Sequence, residues 1–123
     1  MSDSGILERE ECMITIRVDK ELKERTSVLF KNMGVPFTTA VKMFFIQCVK
    51  EDKIPFEANK KGNAKKEIYA TTIRIDKELK DEVKSVFKYH NISFSAAVSL
   101  FLDQCIKENG FPFKINGSEI VRQ

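Results

Sequence analysis

The sequence predicts a mostly α-helical fold with one short two-stranded antiparallel β-ribbon, formed by two tandem strand–helix–helix copies that pair within one chain as a pseudo-dimer. Three observations lead there. The chain repeats itself, each copy switches from a two-residue to a helical hydrophobic period, and one such copy cannot close a core alone.

The repeat has an offset of 57 residues. Thr15-Ile16-Arg17-Val18-Asp19-Lys20-Glu21-Leu22-Lys23 returns as Thr72-Ile73-Arg74-Ile75-Asp76-Lys77-Glu78-Leu79-Lys80. Phe37, Ala40, Val41 and Phe44 return as Phe94, Ala97, Val98 and Phe101, Gln47-Cys48 as Gln104-Cys105, and Pro55-Phe56 as Pro112-Phe113. About 21 of 45 positions are identical between 15–59 and 72–116 without a gap. A solenoid needs at least ~3 stacked units, so two copies fit a domain that works as a symmetric pair.

Each copy opens on a strand. Met13, Thr15 and Arg17 alternate with Ile14, Ile16 and Val18, and Ala70, Thr72 and Arg74 with Thr71, Ile73 and Ile75. Period two with β-branched residues marks a half-buried strand. Asp19 and Asp76 are N-cap residues, each followed by an acid in the first turn, Glu21 or Glu78. The first helix of each copy then runs to about Lys31 or Lys88. Its apolar stripe is Leu22, Thr26, Leu29, Phe30 and Met33, or Leu79, Val83, Val86 and Phe87. Gly34 and Asn91 suit the left-handed turn that ends it. A second helix starts near Phe37 or Phe94; Ser93 can cap the latter, whereas Pro36 has no capping side chain.

A strand followed by two helices leaves both strand edges unpaired and one apolar face uncovered. Pairing the two copies answers both needs. The segment from Glu57 to Tyr69 reaches about 43 Å at ~3.3 Å per residue, enough to cross a small domain. A strand-swapped dimer of two chains is the competing arrangement. The expected organisation is an N-terminal tail 1–12, a first module 13–57, a basic linker 58–69, a second module 70–116 and a tail 117–123.

Composition narrows the function. The 123 residues carry a formal net charge of +3, with 32% charged and 42% hydrophobic residues, a globular rather than a disordered balance. Residues 1–12 sum to −3, which leaves +6 on the remainder, a modest excess that permits nucleic-acid binding. The N-terminus lacks a basic-then-apolar leader, and no apolar run spans a bilayer, so no membrane association is expected. Three cysteines without a Cys-x-x-Cys motif fit a reducing cytoplasm, with Cys48 and Cys105 as core residues. No catalytic or metal constellation and no glycine-rich phosphate loop is present, and no cofactor is expected. His90 is the only histidine and falls in a turn.

The segments TIRVDKELK and TIRIDKELK, a second helix of the GVPFTTAVKMFFIQ or SFSAAVSLFLDQ type, and the Ile-Pro-Phe or Phe-Pro-Phe tail resemble the RelB/DinJ-type antitoxins of the ribbon-helix-helix superfamily. The resemblance covers about 13–57 and 70–114. It implies a tandem ribbon-helix-helix chain whose ribbon enters the DNA major groove, a protein that represses its own operon, and a C-terminal extension that wraps a toxin. Copy two is followed only by Gly117 to Gln123, so a toxin-wrapping arm is expected to be largely missing.

The face of the ribbon away from the helices carries the chemistry. Met13, Thr15, Arg17, Ala70, Thr72 and Arg74 are the candidate base-reading residues. An arginine can grip guanine O6 and N7 with two hydrogen bonds, and a threonine can bond a base or touch a thymine methyl. Met13 is set opposite Ala70, which makes the face imperfectly symmetric. Thr38, Thr39 and Ser95, in the first turns of the second helices, are candidate phosphate contacts, because free N–H groups and the helix dipole favour an anion there. Lys60, Lys61, Lys65 and Lys66 are candidate non-specific phosphate contacts or a solvated tether. Met43 and Ile46 lie off the apolar stripe, where copy two has Leu100 and Asp103; they are core, or a patch for self-association of pseudo-dimers or for a protein partner, a toxin being the partner that the resemblance implies. Two functions follow, an operator-binding repressor and a protein-binding antitoxin. For the linker, neutralising Lys60, Lys61, Lys65 and Lys66 should weaken binding to all duplex sequences evenly and flatten the salt dependence of affinity; an unchanged salt slope would leave it a tether.

Overall fold

In a computed structural model of the chain, residues 10–57 and 67–113 are described. The order is β1 (Glu11–Asp19), α1 (Lys20–Asn32), α2 (Phe37–Glu51), β2 (Ile68–Asp76), α3 (Lys77–Tyr89) and α4 (Phe94–Glu108). Both strands come from one chain and pair antiparallel, so the fold is the intramolecular pseudo-dimer the repeat predicts. Each strand begins two residues before the alternation suggests. The ladder runs from Glu11 opposite Asp76 to Asp19 opposite Ile68. Beyond it, Lys20 N–H donates to Glu67 O and Lys77 N–H to Glu10 O, both at 2.8 Å. These bonds use amide donors at the helix starts that have no partner inside the helix.

Thr15 stands directly opposite Thr72, and these two residues are repeat equivalents. The pseudo-two-fold axis therefore passes between them. It continues into the core between Phe44 and Phe101, also repeat equivalents, whose rings stack 4.5 Å apart with planes 7° from parallel. Ile14, Ile16, Val18, Ile73 and Ile75 form the buried face of the ribbon above these rings.

The two copies interlock rather than sit side by side. Helix α1 packs chiefly on α4, α2 on α3, and α4 lies along β1. Phe30 of copy one meets Phe101 and Phe111 of copy two; Phe87 of copy two meets Phe44 and Phe45 of copy one. His90 Nε2, at the end of α3, lies 3.1 Å from the carbonyl oxygen of Asp52, just past α2. Cys48 and Cys105 are fully buried, as expected. Burial pushes the Cys105 thiol up to about 12, with Glu108 adding to it, and raises Cys48 in the same way beside Glu51.

Local signals hold. Asp19 accepts from Leu22 N–H at 3.1 Å, Asp76 from Leu79 N–H at 3.3 Å and Ser93 from Ala96 N–H at 3.0 Å, while Pro36 makes no side-chain cap. Gly34 and Asn91 are left-handed, φ 80° and 58°. Met33 is a correction to the expected stripe. It is the C-cap residue of α1, where the backbone leaves the helix, and its side chain is exposed.

Thr26 is a fully buried polar residue in the core, and its hydroxyl donates to the Leu22 and Lys23 carbonyls at 2.8 and 3.1 Å. Its repeat equivalent is Val83, also fully buried. Thr26→Val should therefore change stability by less than about 1 kcal/mol, because the shape is kept and no buried donor is left unpaired. Phe44→Ala opens a cavity on the axis and should cost about 3–5 kcal/mol. Urea denaturation reads both; equal effects would contradict the axial role of Phe44.

Candidate nucleic-acid interface

Strand pleating turns Glu11, Met13, Thr15 and Arg17 of β1, and Ala70, Thr72 and Arg74 of β2, toward solvent, away from the buried isoleucines and Val18. All six expected base-reading residues are on this face and exposed. Met13 is 60% exposed, a high value for a methionine that has an apolar core one layer away.

The register corrects one expectation. Met13 faces Arg74 and Arg17 faces Ala70. Met13 and Ala70 are repeat equivalents on opposite sides of the axis, not cross-strand partners. Antiparallel pairing centred on Thr15–Thr72 puts each arginine beside the small or apolar residue of the other copy.

The face is also longer than expected. Glu11 stands opposite Asp76 at one end and Ile68 opposite Asp19 at the other. Arg74 Nη1 lies 3.8 Å from Glu11 Oε1, with both side chains largely exposed. Extending the two-residue alternation back from Met13 would have found Glu11. The signal is weak because neither the Glu11/Ile68 pair nor the Cys12/Tyr69 pair is conserved between copies.

The second-helix starts flank the ribbon by different means. Ser95, in the first turn of α4, accepts the Arg17 N–H through its hydroxyl oxygen at 2.9 Å, which fixes that helix start to the edge of β1. The hydroxyl proton stays free to donate. Thr38, its equivalent, is half-buried, and Thr39 is exposed; neither hydroxyl has a hydrogen-bond partner among the described residues. At that end Lys23 Nζ lies 4.9 Å from the Phe37 ring and 5.1 Å from the Tyr69 ring, bridging the start of α2 to β2. Such contacts contribute about 0.5–1 kcal/mol at exposed sites. Lys60, Lys61, Lys65 and Lys66 lie outside the described residues.

Of the off-stripe residues, Met43 is half-buried and Ile46 is 41% exposed. Val28 and Met33 are exposed as well, and their equivalents are Ser85 and His90. Among the described residues, no helix is long and apolar enough to cross a membrane, and no group of three or more His, Cys, Asp or Glu residues could hold a metal ion.

Ser95→Ala removes a bond between helix and strand and should lower stability by about 0.5–1.5 kcal/mol. Thr38→Ala, which breaks no such bond, should cost less. Denaturant midpoints compare them, and equal losses would reduce the Ser95 contact to a surface detail.

A model of the RelB antitoxin family matches this chain twice in tandem, over residues 11–73 and 70–119. No curated protein and no solved structure matches it.

Proposed function

Because the chain belongs to the RelB antitoxin family, and so to the antitoxins of toxin–antitoxin systems, we propose that it is a DNA-binding transcriptional repressor that reads the major groove of its operator with the β-ribbon and regulates its own transcription. The observation that carries this reading is the exposed face of Met13, Thr15, Arg17, Ala70, Thr72 and Arg74, arranged about a pseudo-two-fold axis.

The fit is physical. Paired strands lie about 4.8 Å apart, and a ribbon of that width with its side chains enters a major groove about 12 Å wide. Thr15 and Thr72, on the axis, meet the centre of the site. Arg17 and Arg74 lie on either side and can each hold a guanine through O6 and N7. Met13 and Ala70 supply apolar surface for a thymine methyl. The starts of α2 and α4, with Thr38, Thr39 and Ser95, lead toward the sugar–phosphate backbone on either flank, where free N–H groups donate to a phosphate. Lys60, Lys61, Lys65 and Lys66 add non-specific attraction from the linker.

A second reading is an antitoxin that acts mainly as a protein-binding module and neutralises a toxin partner. It is favoured by the exposed Val28, Met33 and Ile46 of copy one, where copy two carries Ser85, His90 and Asp103. An isolated apolar residue on a surface means little, but three exposed apolar residues replaced by polar ones at the equivalent positions of the other copy are places where the copies can serve different ends.

Fluorescence anisotropy with duplexes from the region upstream of the gene tests the first reading. Arg17→Ala and Arg74→Ala should leave folding intact and relax specificity, a fully formed contact to guanine contributing about 1–3 kcal/mol of discrimination. The double variant should lose most specific binding and keep weak, salt-sensitive affinity. A folded double variant that binds as tightly and selectively as the parent chain would refute the reading.

A further inference from the structure

The two halves of the reading face differ in one charged residue. In an antiparallel pair, side chains two residues off the direct partner remain within reach on the same face. For Arg74 the direct partner is Met13 and one diagonal neighbour is Glu11; for Arg17 the direct partner is Ala70 and the equivalent neighbour is Ile68. The pseudo-two-fold operation thus turns a carboxylate beside one arginine into an isoleucine beside the other. The register is borne out by contact, since Arg74 Nη1 and Glu11 Oε1 are 3.8 Å apart.

Resting on the DNA-binding reading above, we propose that Glu11 is a specificity-determining residue that positions Arg74, weakens its half of the reading face, and makes the protein recognise an asymmetric operator with guanine recognition concentrated under Arg17. In water this exposed pair contributes little to stability. Its consequence appears when DNA approaches. A guanidinium drawn toward Glu11 is pulled off the line to guanine O6 and N7, which need an edge with two donors aligned. The carboxylate also enters a groove bordered by phosphates and carries the wrong sign for it. Ile68 imposes neither penalty on Arg17. Exchanges such as Thr38 for Ser95 or Met13 for Ala70 alter shape and polarity, whereas Glu11 for Ile68 alters charge next to a base-reading residue.

The experiment selects duplexes from a random 30-base-pair pool with the full chain, then measures affinity for the enriched duplex and its single-base variants by anisotropy at two salt concentrations. Replacing the guanine of the stronger half-site should weaken binding about tenfold or more, and the corresponding change in the other half less than about threefold. Glu11→Gln keeps the shape and removes the charge. It should tighten binding roughly threefold to tenfold and bring the two half-site penalties together. Arg74→Ala should reduce that gain to the part that comes from phosphate repulsion, whereas Arg17→Ala should leave it whole. Equal half-site penalties in the parent chain, or a Glu11→Gln gain that persists undiminished in the Arg74→Ala background, would overturn the role of Glu11 while leaving DNA binding in place. Absence of any salt-dependent duplex binding would instead overturn the DNA-binding reading, and this proposal with it.

Discussion

A β-strand with two free edges and one apolar face is not stable alone, and each half of this chain contains one such strand. The architecture follows from how that strand finds its partner. Antiparallel pairing with the repeat copy aligns Thr15 with Thr72 and places Ile14, Ile16, Val18, Ile73 and Ile75 on one side. Four helices must then cover that side. They do so by crossing between copies, α1 on α4 and α2 on α3, so that neither copy owns a complete core. The Phe44–Phe101 stack on the axis is where the copies meet most closely. Covalent linkage adds to this. Tethering keeps the partner strand close by, so pairing does not depend on protein concentration as it does between separate chains.

A single chain also releases each copy from serving both sides of a symmetric dimer. The core shows the freedom, within limits set by packing. Phe45 answers to Leu102, and Ile54 to Phe111. Phe45 packs on Phe87 and Phe94, while Phe111 packs on Phe30 and Phe101. Bulk is thus redistributed between the two sides of the axis in a core that tolerates neither voids nor overpacking. Thr26 answers to Val83 with the same shape, and its hydroxyl is absorbed by carbonyls of its own helix.

The surface has diverged further, because solvent tolerates changes that a core does not. Copy one exposes Val28, Met33 and Ile46 where copy two carries Ser85, His90 and Asp103, and copy two exposes Tyr89 where copy one carries Asn32. On the ribbon, Glu11 and Ile68 occupy equivalent places with opposite consequences for the arginines nearby. A symmetric dimer of identical chains would present each feature twice. Here each occurs once, and the scaffold can present two unlike halves to whatever it binds.

The sequence by itself determined the repeat, the order of elements, the caps at Asp19, Asp76 and Ser93, the left-handed turns at Gly34 and Asn91, and the six residues of the outward face. All of these are set by short-range rules: dihedral preference, side-chain reach to a nearby amide, and the two-residue period of a strand. Only the tertiary structure decided that Arg17 stands across from Ala70 and Arg74 from Met13, that the strands extend to Glu11 and Ile68, that Ser95 holds the edge of β1 beside Arg17, and that Met33 leaves the core. Register is not a local property. It is the sliding position at which both strands bury their apolar faces and four interlocked helices close over them, so it depends on contacts between residues far apart in the chain. The ion pair between Glu11 and Arg74 exists only because that position was chosen.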